Sequence, residues 1–299
     1  MNIHRRSLCA MASLAAAVCV PSALYAQRFQ GEIQQMLARD KTNPPPQGGI
    51  LFIGSSIFRF WTHLSEQMAP LPVFNHAFGG SVTQDILDRA DQLVFPYKPR
   101  IIVYYCGSND VGGGEPAGAI IGRTKQFLKI AGERLPDTFV YYTAIQKAPD
   151  KRDRWDVVET VNREMERYSH QAKNLGFIDL NPVLFDKKGN VRMELFLPDE
   201  LHFRPESTAY AEFAAVVKPI LTKAWESRHP YAVSSDGQRF LVNVAADEGT
   251  LVPEGWKIAR RRLHRENYST QTINRSMFKH RKNERGFPSL ADSGITGRE

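Results

Sequence analysis

Arg100-Ile101-Ile102-Val103-Tyr104-Tyr105-Cys106-Gly107-Ser108-Asn109-Asp110 is the stretch on which the fold turns. Its first seven residues are β-branched or aromatic almost throughout, with no polar alternation. Such a run reads as a strand buried on both faces, the kind found in parallel sheets covered by helices. It ends at a glycine followed by small polar side chains. Open α/β sheets carry their reactive groups at this carboxyl end of a strand.

The same pattern recurs on either side. The apolar run 49–54 predicts a strand, and 57–67 a helix after it. A second strand is expected at 72–76 and a helix at 84–93. Beyond 100–106 come a long helix at 117–134, a strand at 138–145, an amphipathic helix at 153–174, a strand at 176–180 and a closing helix at 207–225. A polar helix at 29–39 and the stretch Asn43-Pro44-Pro45-Pro46 lead into this unit. Alternating strands and helices with apolar strands predict an α/β fold: five parallel strands between two helical layers. No internal repeat is visible within it.

Composition bounds the rest. The chain has 299 residues and 42% hydrophobic content, enough for one α/β domain with a sizeable core and additional segments. The net charge of +7 is unevenly placed. From Lys257 onward there are eleven Lys/Arg against four Asp/Glu, so the preceding residues sum to zero. The basic character belongs to the tail, and the body carries no signature of specific nucleic-acid binding.

Residues 1–26 read as a secretory signal. His4-Arg5-Arg6 forms a positive start, an Ala-rich apolar stretch runs from Leu8 to Val20, and Ala26 is a plausible cleavage point. The apolar run is short for a membrane span; a retained N-terminal anchor is the alternative. Cleavage would leave no membrane span, and would place the protein in the periplasm or outside the cell. Cys9 and Cys19 would leave with the leader. Cys106 would then be the mature chain's one cysteine, read as packing and unable to form an intramolecular disulfide.

The expected organisation is therefore a leader (1–26), a helical lead-in (27–47), the main α/β domain (48–227) and two further segments. Residues 228–256 read as a hairpin about an Asp236-Gly237 turn, similar to one blade fragment of tricorn-type propellers, which cannot close a propeller alone. Residues 257–299 are expected to be disordered. A gene fusion or frameshift would also account for this change of style.

Four short motifs carry the chemistry. Gly54-Ser55-Ser56-Ile57 puts a hydroxyl just past a strand, at the start of a helix whose terminal amides favour developing negative charge. Ser56 is the expected nucleophile, with Ser55 its local rival; either could instead cap the helix. Phe78-Gly79-Gly80-Ser81 offers a bare backbone amide, or an ordinary turn. Gly107-Ser108-Asn109-Asp110 offers a side-chain amide, or an Asx turn. Asp199-Glu200-Leu201-His202 supplies an imidazole base and a carboxylate to orient it from one loop, or a helix-start acid and a surface histidine. Trp61 reads as core. No His/Cys cluster with metal-ligand spacing and no phosphate-binding glycine loop is present in the sequence, so neither metal nor cofactor is expected.

Taken together and in this order, the motifs resemble the SGNH (GDSL-type) hydrolase superfamily over about three fifths of the chain. Similarity to bacterial platelet-activating-factor acetylhydrolase-like members rests on 75–83 and on the strand entry Lys98-Pro99-Arg100-Ile101-Ile102-Val103. The resemblance implies a flavodoxin-like α/β/α sandwich, a Ser56/His202/Asp199 triad and an oxyanion hole made by Ser56, Gly80 and Asn109. Two departures stand out. Ser55 replaces the usual Asp of the first block, and Glu200 replaces the usual Gly of the last, where His202-Phe203-Arg204 also differs. The expected function is an exported esterase cleaving short acyl groups from a carbohydrate or lipid through an acyl-enzyme. Lysophospholipase or thioesterase activity is the near alternative, and a non-catalytic binding relic the distant one. The sequence leaves the oligomeric state open.

Overall fold

The structure is a computed structural model that describes residues 28–228 and four short strands beyond them. The expected leader, the Asp236-Gly237 turn and most of the basic tail lie outside the described residues.

Five strands form one parallel sheet: β1 (Ile50–Gly54), β2 (Val73–Asn75), β3 (Ile101–Tyr105), β4 (Phe139–Thr143) and β5 (Leu175–Ile178). Their order is β2-β1-β3-β4-β5, so the chain steps outward from β1 to one edge, returns, and builds the other side. This is the flavodoxin-like order, and its reversal lies between β1 and β3, the place where such sheets bind ligands.

The sheet parts two cores. Ile50, Phe52, Val103 and Tyr105 pack on one face; Leu51, Ile53, Ile102 and Tyr104 pack on the other. Alternate residues of one strand thus feed opposite layers. The first layer contains α2 (Ser56–Arg59), α3 (Leu64–Met68) and α8 (Ala209–Arg228). The second contains α1 (Gln30–Thr42), α4 (Thr83–Leu93), α6 (Ala117–Arg134) and α7 (Trp155–Ser169). The one-turn helix α5 (Ser108–Gly112) follows β3.

The expected helix over 57–67 is broken into α2 and α3. Trp61 falls in the break and is buried against Phe52, Phe58 and Tyr210. Its indole donates to Gln67 Oε1 at 2.6 Å. The expected helix over 153–174 begins instead as a 3-10 turn, Pro149–Arg154, before α7.

Beyond α8, β6 (Tyr231–Val233) pairs antiparallel with β7 (Arg239–Leu241), and β8 (Trp256–Ile258) with β9 (Phe278–His280). No described helix is long and apolar enough to cross a membrane.

Candidate active site

β1 ends where only glycine fits. A Cβ on Gly54 would stand 1.8 Å from the Tyr105 carbonyl oxygen of β3, and its φ is +150°. Ser55 follows in extended conformation and donates its amide to Tyr105 O at 3.1 Å. Ser56 then opens α2, at the carboxyl edge of the sheet. Its helix is held from across the layer by Tyr210 of α8, whose hydroxyl donates to Ile57 O at 2.8 Å.

His202 arrives on a loop anchored at both ends. Phe196 and Phe203 form an isolated antiparallel bridge, and both rings are buried. Phe203 packs edge-on against Tyr210 and Phe213 of α8. Between them the Leu197 amide donates to His202 O at 2.7 Å. The buried side chain of Gln146, just past β4, donates to Leu201 O at 2.9 Å and ties the loop to the sheet.

These anchors bring three side chains into line. His202 Nε2 lies 2.8 Å from Ser56 Oγ, and His202 Nδ1 lies 2.7 Å from Asp199 Oδ2. A carboxylate only accepts, so Nδ1 carries the proton and Nε2 of the neutral ring accepts from the Ser56 hydroxyl. The second oxygen of Asp199 accepts the amides of Leu201 and His202, each at 3.0 Å. Partial burial pushes the Asp199 carboxyl up, but the hydrogen bonds from the His202 ring and from these two amides outweigh it and hold it below the usual range. Ser55 is not in this line, and its side chain makes no capping bond to α2.

The loop 78–81 closes over the end of β1. The Phe78 amide and the Ser81 hydroxyl both donate to Gly54 O, at 3.0 and 3.1 Å. Gly80 takes φ +74°, the left-handed conformation that its sequence suggested. Asn109 Nδ2 donates to Ser81 O at 2.9 Å, so Gly54, Ser81 and Asn109 are laced together. That bond uses one of the two amide protons of Asn109. Among the described residues, the amides of Ser56 and Gly80 have no backbone acceptor.

Asp110 makes no simple Asx turn. It is buried and accepts from the Thr83 amide at 3.1 and 3.0 Å, from the Thr83 hydroxyl at 2.5 Å and from Arg123 at 3.1 Å. Cys106 is buried too, and burial pushes its thiol well up, so it is a packing residue with little thiolate character.

Two contributors escaped the sequence reading. Gln146 had one usable signal: a polar side chain directly after a strand, at the carboxyl edge where functional groups collect. Phe60 had none. It is 42% exposed, and its ring stands edge-on to His202 at 5.1 Å.

Residues 54–209 match the GDSL-like lipase/acylhydrolase family, a span holding all four motifs and more than half of the chain. The chain belongs to that family. It is accordingly a hydrolase acting on ester bonds. No curated protein matches it. Among solved structures it is similar to a Streptococcus pneumonia protein named for platelet activating factor, at 17% identity and TM-score 0.58, covering 67% of this chain and 96% of that one. It is also similar to a GDSL-like lipase from Bacteroides thetaiotaomicron, at 19% identity and TM-score 0.54, covering 64% and 98%. A lipase/acylhydrolase from Enterococcus faecalis follows at 18% identity and TM-score 0.50, covering 58% and 95%. At these identities the likeness bears on the fold, which is shared across nearly the full length of each relative.

Proposed function

We propose that this GDSL-family hydrolase is a serine esterase working through a covalent acyl-enzyme, with Ser56 as nucleophile, His202 as base and Asp199 as the group that orients it. The observation that carries the reading is the line of two hydrogen bonds from Asp199 through the His202 ring to the Ser56 hydroxyl. Ser56 attacks the ester carbonyl as His202 Nε2 takes its proton. The former carbonyl oxygen becomes negative and is met by the Ser56 and Gly80 amides and the free proton of the Asn109 amide. Each such donor is worth roughly 2.7–4 kcal/mol in comparable sites. Collapse of the tetrahedral adduct expels the alcohol, which takes the proton from His202. Water, deprotonated by His202, then releases the acid and restores Ser56.

The substrate in this reading is an ester of a short acyl group with a carbohydrate or lipid alcohol. The exposed Phe60 ring beside His202 offers such an alcohol a flat apolar face. Export is part of the proposal and rests on the signal-like sequence of residues 1–26.

The test is hydrolysis of p-nitrophenyl acetate by the parent chain beside Ser56→Ala and Ser55→Ala. Ser56→Ala should lower kcat by at least about 10³-fold with thermal unfolding unchanged. Ser55→Ala should keep most of the activity. Equal inertness of parent and Ser56→Ala would end the reading, and loss confined to Ser55→Ala would move the nucleophile. An acyl-chain series on sugar, phospholipid and thioester carriers decides the substrate. A preference for long chains or for thioesters would favour lysophospholipase or thioesterase activity.

A further inference from the structure

The segment that enters α1 lies against the outer side of the 78–81 loop. Arg28 Nη2 donates to Gly80 O at 2.8 Å. The Phe29 ring meets Phe78 edge-on, with centroids 4.9 Å apart. Glu32 pairs with Arg59 Nε, and Arg59 Cδ lies 3.4 Å from where a Cβ on Gly79 would stand. Residues 78, 79 and 80 are therefore each backed by a side chain that comes from this segment or is tied to it.

The inner side of the loop is fixed at its two ends. Phe78 and Ser81 are bonded to Gly54 O, and Ser81 O accepts from Asn109. Gly79 and Gly80 lie between those anchors, and glycines wander readily over backbone conformations. For an amide to stabilise an oxyanion it must already be aimed when the charge develops. On Gly80, the side-chain bond that restrains the backbone is the one from Arg28, a charge-assisted one.

We infer that Arg28 is a positioning residue for ester hydrolysis: by gripping the Gly80 carbonyl it holds the Gly80 backbone in place between the anchored Phe78 and Ser81, and so limits where the Gly80 amide can point as the oxyanion develops. The inference rests on the esterase reading above. The Arg28 side chain is 44% exposed, and its ion pair with Asp85 is long, at 3.9 Å. Asp85 is itself buried but also accepts the Val82 amide at 2.8 Å. A long pair whose cation is open to water contributes about 0–1 kcal/mol to stability, so removal of Arg28 should register in the chemistry more than in folding.

The experiment compares the full chain with Arg28→Ala and Arg28→Lys. Five quantities are read: kcat and KM for p-nitrophenyl acetate, affinity for an alkyl boronic acid, amide hydrogen exchange over 78–81, and Tm. The boronate forms a tetrahedral anion on Ser56 and so samples the same donors. Arg28→Ala should lower kcat by about 10- to 100-fold and weaken the boronate by a similar factor. KM should stay within about twofold, and Tm should move by no more than about 4 °C. Exchange over 78–81 should rise. Arg28→Lys should restore most of the kcat. An unchanged kcat in Arg28→Ala, a loss seen in KM alone, or equal losses in both variants with a collapsed Tm would each overturn the inference. Equal inertness of the parent chain and Ser56→Ala would instead remove the esterase reading. In that event the exchange of 78–81 in Ser56→Ala, with and without Arg28→Ala, still decides whether Arg28 holds the loop, and no added exchange would overturn that too.

Discussion

Glu200 takes φ +57°, left-handed backbone that an L side chain adopts at a cost of about 1–2 kcal/mol. This is the position where the family's usual residue is glycine, and the conformation supplies the reason. The turn is needed so that Asp199 can reach both the Leu201 and His202 amides and still face the imidazole. Glu200→Gly should therefore stabilise the chain, by about 0.5–1 kcal/mol once the looser unfolded state of glycine is subtracted. Urea unfolding measures it, and a loss of stability would show that the Glu200 side chain makes a favourable contact. The other departures are equally local. Ser55 for Asp leaves the Ser56–His202 contact intact, and Phe203 turns into the core and anchors the base loop.

At the scale of elements, α5 is the joint. Its Asp110 binds the first residue of α4 through Thr83, and α6 through Arg123, which also meets Glu115 at 3.3 Å. Asp110→Asn keeps the shape but leaves buried donors with a weaker acceptor. We expect about 2 kcal/mol lost in denaturant unfolding, with kcat falling because Asn109 shares the same short helix. A variant as stable as the parent would mean that Arg123 and Thr83 re-pair without it.

The strands were legible because burial on both faces writes an uninterrupted apolar run, and β3 lies one residue inside 100–106 at each end. Ala117–Arg134 matched the expected bounds, since amphipathic spacing continues along its whole length. The break between α2 and α3 was not legible: buried Ile57, Trp61, Leu64 and Met68 keep the spacing of one helical face across it, so the local pattern reads as a single helix. The same holds for the candidate site. Ser56, His202, Asp199, Gly80 and Asn109 could be named from motif and position, because strand ends and short polar words are local signals. Phe60, Arg28 and the partners of Asp110 could not, because their meaning comes from segments that meet only after folding.

Across the whole molecule, α1 is clasped to the sheet by buried polar groups. Asp40 Oδ2 accepts from the Tyr97 hydroxyl at 2.5 Å and faces His76 Nε2 at 2.9 Å, while His76 Nδ1 donates to Leu93 O at 2.9 Å. Burial pushes His76 below its usual 6.5, against the opposing pull of the Leu93 carbonyl and the Asp40 carboxylate. The folded protein thus resists a proton that the unfolded chain accepts below pH 6.5. Stability should be unaffected by this group above that pH and decline below it, down to the lowered folded value, at up to about 1.4 kcal/mol per unit. Unfolding titrations of the parent and His76→Gln measure the difference. A parent whose stability holds level from pH 7 to 5 would contradict the assignment.

Ser56 and His202 are separated by 146 positions along the chain. During synthesis the alcohol emerges early and its partner late, after every strand of the sheet has been made. On the roles proposed for Ser56 and His202, a growing chain carries no working hydrolase until about two thirds of it has been made, however compact its early half becomes. On that reading the ester-cleaving capacity waits for the loop that brings His202, the last of the proposed site residues to be synthesised.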